Sequence, residues 1–173
     1  MEKIAIFGSA FNPPSLGHKS VIDSLAHFDK ILLVPSIAHA WGKEMLDFDT
    51  RCQLVEAFIS DLLLDQVELS LVEKGLFTPG ESVTTYAVLS QLQKQHPEAE
   101  LTFVIGPDNF FKFSSFYKSD EITERWSIMA CPEKVKIRST DIRHALQNGS
   151  NVAKLSTKSV TRILQDSELY TII

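Results

Sequence analysis

Only two cysteines occur in the 173 residues. Cys52 and Cys131 sit inside apolar stretches, with no C-x-x-C and no histidine pairing, so they read as core thiols of a reducing compartment. His27, His39, His96 and His144 have no metal-ligand spacing with one another or with a cysteine, so no protein-ligated zinc or other metal is expected. No apolar run approaches the roughly 18 residues of a membrane span, and the N-terminus lacks a signal-peptide pattern. A soluble, cytoplasmic protein is the expectation. Basic residues are scattered through a chain of net charge −5, with a pI near 5.5, which argues against nucleic acid as the main partner and leaves room for a local phosphate pocket. G-x-G-x-x-G, G-x-x-x-x-G-K-[ST] and G-x-S-x-G are all missing, so neither the dinucleotide fingerprint, the P-loop nor a nucleophile elbow accounts for any loop here.

What is present is alternation. Strand-like runs at Lys3–Phe7, Lys30–Pro35, Val67–Val72, Leu101–Ile105 and Ser127–Cys131 are separated by Leu16–Phe28, Thr50–Leu64 and Ser82–Gln95, which carry apolar residues at three- and four-residue spacing. The pattern predicts an α/β chain, a Rossmann-like parallel sheet with helices on both faces. Two further helices, Thr140–Leu146 and Ser156–Gln165, close the chain. Residues 1–173 read as one domain, with no repeat, linker or low-complexity tract. Ligands of such sheets bind outside the carboxyl ends of the strands, which singles out the loops after Phe7, Pro35, Val72 and Ile105.

The first of these loops, GSAFNPPSLGH at 8–18, joins a strand to a helix. Gly8 and Ser9 permit a sharp turn and close approach of a ligand, and Gly17-His18 opens the helix, where free N–H groups and the dipole favour an anion. A phosphate site is the physical reading. Ser15 and His18 do not make a nucleophile pair, for want of a placed acid.

GSAFNPPSLGH resembles the (H/T)-x-G-H loop of the nucleotidyltransferase superfamily, and Ile137-Arg138-Ser139-Thr140-Asp141-Ile142-Arg143 resembles its I-S-S-T-x-I-R signature, here I-x-S-T-x-I-R on the C-terminal helical segment. Ala40-Trp41-Gly42-Lys43 with Arg51 downstream, Ile105-Gly106-Pro107-Asp108, Phe116 and the tail ending Glu168-Leu169-Tyr170 are similar to segments of the nicotinate/nicotinamide mononucleotide adenylyltransferase family. The resemblance spans nearly the whole chain.

It implies transfer of AMP from ATP to a pyridine mononucleotide, nicotinate or nicotinamide, with pyrophosphate leaving and Mg²⁺ held by phosphates. It also implies roles. His18, Ser15, Lys43 and Arg143 would serve the chemistry. Gly8, Ser9, Ala10 and Phe11 would line phosphate and adenosine, Gly106 and Asp108 the ribose, and Ser139, Thr140 and Arg143 the outer phosphates, a guanidinium fork suiting that task. Trp41 and Phe116 would flank the pyridine ring, Lys43 and Asp108 would meet the mononucleotide, and Thr84 and Thr85 would offer N–H groups to the ring substituent. Plainer roles stand beside these: Asp108 as a helix N-cap, Trp41 and Phe116 as packing aromatics. Ser15 departs from the family's His or Thr, Arg138 replaces a serine, and the stretch from Cys131 to Ile137 is short. Two other readings follow from those departures: the same chemistry on another phosphate-ester acceptor, and a regulatory nucleotide-binding relative without turnover. The partners expected are small molecules, with a homo-oligomer left open.

Overall fold

Lys3–Ser9 forms strand β1, and its residues alternate between two cores. Ala5 and Phe7 face one side and Ile4 and Ile6 the other, all four buried, as a central strand covered on both faces requires. The computed structural model describes residues 1–38 and 45–171. Lys30–Pro35 (β2), Val67–Leu69 (β3), Glu100–Ile105 (β4) and Ser127–Ala130 (β5) complete a five-stranded sheet of order β3-β2-β1-β4-β5, and every pairing is parallel. Phe7 lies opposite Leu33 of β2 and Val104 of β4. The chain builds outward from β1 in one direction, then crosses over to build in the other, so the switch point falls between β1 and β4.

On the Ala5–Phe7 side pack Leu16–Asp23 (α1), Phe48–Leu62 (α2), Ser139–Gln147 (α7) and Lys158–Asp166 (α8), through Val21, Phe58, Ile142 and Leu164 among others. The Ile4–Ile6 side is covered by Val72–Leu76 (α3), Thr85–Gln95 (α4) and Ser119–Arg125 (α6), through Val72, Leu89, Leu92 and Ile122. A short helix, Pro107–Phe111 (α5), follows β4 and buries none of its residues.

The α/β reading of the sequence holds, and the differences lie at element ends and in three short helices that the sequence reading did not contain. The helix expected to run to Phe28 stops at Asp23, and tighter hydrogen bonds, Leu25 N–H to Ile22 O at 2.9 Å and Phe28 N–H to Leu25 O at 3.0 Å, bring the chain round to β2. The third strand stops at Leu69, because Val72 turns inward as the start of α3. The next helix begins at Thr85, three residues later than its pattern suggests, with the Thr84 hydroxyl accepting from Ala87 N–H at 3.1 Å. Helices α3, α5 and α6 have five to seven residues, too few for a helical period to stand out.

Candidate active site

A cavity of about 240 Å³ opens at the carboxyl ends of β1 and β4, at the switch point. Gly8 and Ser9 from β1, Ser15 and His18 from the start of α1, Gly106 and Asp108 after β4, and Glu133, Arg138 and Ser139 before and within α7 line it. A larger space, about 510 Å³, lies at the far edge of the sheet between β3, α3 and α4; among the described residues no lysine or arginine lines it, nor does any residue of 8–18 or 137–143.

The cavity side chain with the best defined chemistry is His18. Ser15 is the N-cap of α1, and its backbone N–H donates to His18 Nδ1 at 3.0 Å. A nitrogen that accepts carries no proton, so the neutral imidazole holds its hydrogen on Nε2. Nε2 lies 3.0 Å from Ser9 Oγ on the cavity wall. Packing against Phe11, ring centroids 4.7 Å apart, helps remove the ring from water, and burial holds its pKa down at about 4. His18 is therefore a neutral, oriented donor at neutral pH. The Ser15 hydroxyl is engaged within the protein: it donates to Ile137 O at 3.0 Å and accepts from His18 N–H at 3.3 Å. In this geometry Ser15 orients the histidine.

Gly17 is required sterically. A Cβ on it would stand 2.2 Å from Ile137 O, the carbonyl to which Gly17 N–H donates at 3.2 Å. The sharp turn expected at Gly8-Ser9 falls elsewhere. β1 continues through Ser9, a Cβ at Gly8 would meet only an ordinary contact, and the left-handed residue is Phe11, with φ 48°. Phe11 is fully buried in the core under His18, while Gly8 remains exposed at the cavity.

The loop carbonyls are tied from distant parts of the chain. Arg51 Nη1 donates to Ala10 O at 2.8 Å, Arg143 Nη1 to Asn12 O at 2.7 Å, Ser139 Oγ to Pro13 O at 2.6 Å and Ser156 Oγ to Pro14 O at 2.7 Å. Leu16 N–H donates to Leu155 O at 3.0 Å. Tyr170 Oη donates to Asn12 Oδ1 at 2.5 Å, and burial pushes that phenol well above its ordinary pKa.

Arg51 is legible in the sequence as a motif position and not as a buried clamp. Its side chain is 1% exposed, and besides Ala10 O its guanidinium donates to Leu46 O and Ser36 O, each at 2.7 Å. Glu73, also buried, accepts from Ile37 N–H at 3.2 Å, and burial raises its carboxyl pKa to about 7. Together they hold the two ends of the segment after β2.

The remaining residues singled out by sequence are distributed as follows. Asp108 is the second residue of α5, whose N-cap is Gly106, so the capping role expected for Asp108 is wrong; its carboxylate faces Arg138 at 3.7 Å. Arg143 does not line the cavity, and its Nη2 donates to Thr140 Oγ1 at 3.1 Å. Thr84 and Thr85 stand at the start of α4, outside the cavity lining. Phe116 packs on Phe113, centroids 5.0 Å apart, against the core. Trp41 and Lys43, with the rest of 39–44, lie outside the described residues. Among the described residues no cluster of three or more His, Cys, Asp or Glu side chains is placed to hold a metal ion. Among them, too, no helix is long and apolar enough to cross a membrane. Sequence reasoning missed Glu133 as a wall residue and Asn12 as the anchor of Tyr170; the first becomes a wall only where its loop meets the ends of β1 and β4, and the second acts across more than 150 residues.

Comparison with known proteins agrees with this geometry. A candidate nicotinate-nucleotide adenylyltransferase from Vibrio parahaemolyticus, known as a crystal structure, is 56% identical, with a TM-score of 0.90 over 100% of this chain and 98% of that one. A curated candidate nicotinate-nucleotide adenylyltransferase from Lactiplantibacillus plantarum is 26% identical over 97% of this chain and 88% of that protein. The fold is shared with Plasmodium falciparum nicotinic acid mononucleotide adenylyltransferase complexed with NaAD, 16% identical, TM-score 0.79, over 98% of both chains. The cytidylyltransferase-like family model matches residues 6–145, and the chain belongs to that family, on its nicotinate-nucleotide adenylyltransferase branch.

Proposed function

We infer that the chain is an adenylyltransferase of NAD biosynthesis, which moves AMP from ATP to nicotinate mononucleotide and yields deamido-NAD and pyrophosphate. The observation that carries this reading, beside family membership, is the neutral Nε2–H donor of His18, fixed at a cavity at the sheet's switch point. A phosphate oxygen of the mononucleotide attacks the α-phosphorus of ATP, a P–O bond forms, and the bond to the bridging oxygen of pyrophosphate breaks. The protein need not supply a nucleophile. It has to align the two substrates and meet the charge that develops on phosphate oxygens.

His18 Nε2–H donates to the α-phosphate, Ser15 holds the ring in that tautomer, and the main chain of Gly8 and Ser9 borders the phosphates. Ala10 and Phe11 act through the loop, the first by its carbonyl and the second by packing under His18. Gly106 and Asp108 face the ribose, Ser139 borders the phosphates at the start of α7, and Thr140 and Arg143 behind it are assigned to the outer phosphates on resemblance. Trp41, Lys43, Thr84, Thr85 and Phe116 are assigned to the mononucleotide on resemblance. Mg²⁺ carried in with ATP would supply charge neutralisation at the phosphates; Asp108 and Glu133, the two carboxylates of the wall, both face Arg138, which suits an ion carried by substrate better than a resident one. The reading describes one domain working on small molecules in the cytoplasm, as a monomer or a homo-oligomer. Pyrophosphate release with ATP, Mg²⁺ and nicotinate mononucleotide, compared with nicotinamide mononucleotide and with no acceptor, tests it. Turnover on the nicotinate form is expected, and silence with both mononucleotides from folded protein overturns it.

A further inference from the structure

Arg138 stands where the resembling motif carries serine, and it is the one lysine or arginine among the described residues that line the cavity. The rest of the charged wall is Asp108 and Glu133. His18 is neutral, its pKa held at about 4. Counting −2 from the carboxylates and +1 from Arg138, the wall has a net charge of −1, and without the guanidinium a triphosphate would meet −2. Arg143, the cation that sequence assigns to the phosphates, donates to Asn12 O and Thr140 Oγ1 and does not reach this wall.

The attachment of Arg138 is uneven. Its main chain is anchored, with N–H donating to Asp141 Oδ2 at 2.9 Å as the N-cap of α7. Its head is only loosely held. Nη2 is 3.7 Å from Asp108 Oδ2 and Nε is 3.6 Å from Glu133 Oε2, with the side chain 63% exposed. Long, exposed pairs of this kind contribute little and break readily. The guanidinium is thus parked between two elements, at the cavity, by partners that a polyphosphate outcompetes, since phosphate offers more charge and the fork takes its oxygens two at a time.

We propose that Arg138 is a nucleotide-binding residue of this site, its guanidinium leaving Asp108 and Glu133 to take phosphate oxygens of ATP. The exchange also frees Asp108 to accept from hydroxyl groups of the ligand. The inference deepens the adenylyltransferase reading and rests on it for the identity of the ligand as a nucleoside triphosphate.

The test uses the whole protein and a non-hydrolysable ATP analogue with Mg²⁺, titrated calorimetrically into wild type, Arg138→Gln and Arg138→Lys, with thermal melts to show that all three fold. Arg138→Gln is expected to bind the analogue about tenfold more weakly, the loss of one charge-assisted hydrogen bond, with a shallower salt dependence. Arg138→Lys should recover part of the loss, and affinity for nicotinate mononucleotide should be unchanged. Pyrophosphate release by the wild type is measured alongside. If the wild type turns over and Arg138→Gln binds the analogue within twofold of it, the inference falls and the adenylyltransferase reading stands. A wild type silent with both mononucleotides that nonetheless loses analogue affinity on Arg138→Gln supports the inference and removes the reading. Equal weakening of both substrates, or a lowered melting temperature, would show Arg138 to be structural and also overturn it.

Discussion

The two walls of the cavity are built differently. The β1–α1 wall, residues 8–18, is tied by carbonyl and amide bonds from α2, the loop before α7, α7, the approach to α8 and the C-terminal tail, most at 2.5–3.0 Å. The opposite wall, Gly106–Asn109, sits on a short helix that buries nothing, and its carboxylate reaches across to one long ion pair. Rigid donors are useful where charge develops, because they need no reorganisation during reaction. A loose wall suits the side through which a large nucleotide enters and leaves.

The sharpest way to break that contrast is to cut the stiff wall at its buried cation. Arg51→Met leaves Ala10 O, Ser36 O and Leu46 O without their donor inside the protein. A loss of about 3–5 kcal/mol is expected, read as a drop of roughly 10 °C or more in melting temperature. Destabilisation below about 1 kcal/mol in a urea melt would show that Arg51 does not hold the wall.

His18→Ala should act on turnover and leave folding largely intact. Removing one oriented donor from the developing charge lowers kcat by about 10²–10³-fold, and retention of a tenth or more of wild-type kcat would sink the role given to Nε2. The same side chain titrates with Glu73 in opposing senses. His18, folded pKa about 4 against an ordinary 6.5, gives stability that is present above pH 6.5 and lost as pH falls toward 4. Glu73, folded pKa about 7 against an ordinary 4.5, gives stability that is present below pH 4.5 and lost as pH rises through 7. The two slopes offset each other between pH 4.5 and 6.5. Glu73→Gln is expected to expose the rising limb of His18, on the order of 2 kcal/mol across that window in urea melts. A Glu73→Gln profile parallel to wild type would contradict the opposition.

Smaller effects mark the ends of the comparison. Tyr170→Phe removes one half-buried hydrogen bond to Asn12 and should cost about 1 kcal/mol, some 2–4 °C. It should also lower kcat more than it alters either KM. A melting temperature unchanged within error would mean that the tail does not brace the stiff wall. On the loose wall, Asp108→Asn should change stability by less than about 0.5 kcal/mol, as for any exposed, distant ion pair. If it destabilised as much as Tyr170→Phe, the two walls would not differ in the way described.

Much of the fold and of the site is legible in the order of residues. Five apolar runs separated by helical periods point to a parallel sheet, and the loop 8–18 with Ser139–Arg143 points to a phosphate site on two helix starts. The departures are local or long-range. Gly8 invites a turn that Phe11 makes instead, because a left-handed φ at a buried phenylalanine depends on what surrounds it. Asp108 invites a capping role that Gly106 fills, because the helix starts two residues earlier than the carboxylate suggests. Arg143 and Ser139 are assigned to phosphates on the resemblance, whereas their hydrogen bonds in the structure hold the loop carbonyls of Asn12 and Pro13.

By itself the sequence determined the class of fold, the order of its strands and longer helices, and the 8–18 loop as a phosphate site, because periodicity and helix-start chemistry act over a few residues. Only the tertiary structure decided which nitrogen of His18 carries the proton, that Ser15 orients a ring, that Gly17 must lack a Cβ beneath Ile137, and that Arg138 faces the cavity between two carboxylates. Apart from the short-range bonds within the α1 cap, each of these depends on groups far apart in the chain. Such contacts are set by packing, and packing leaves no period to read.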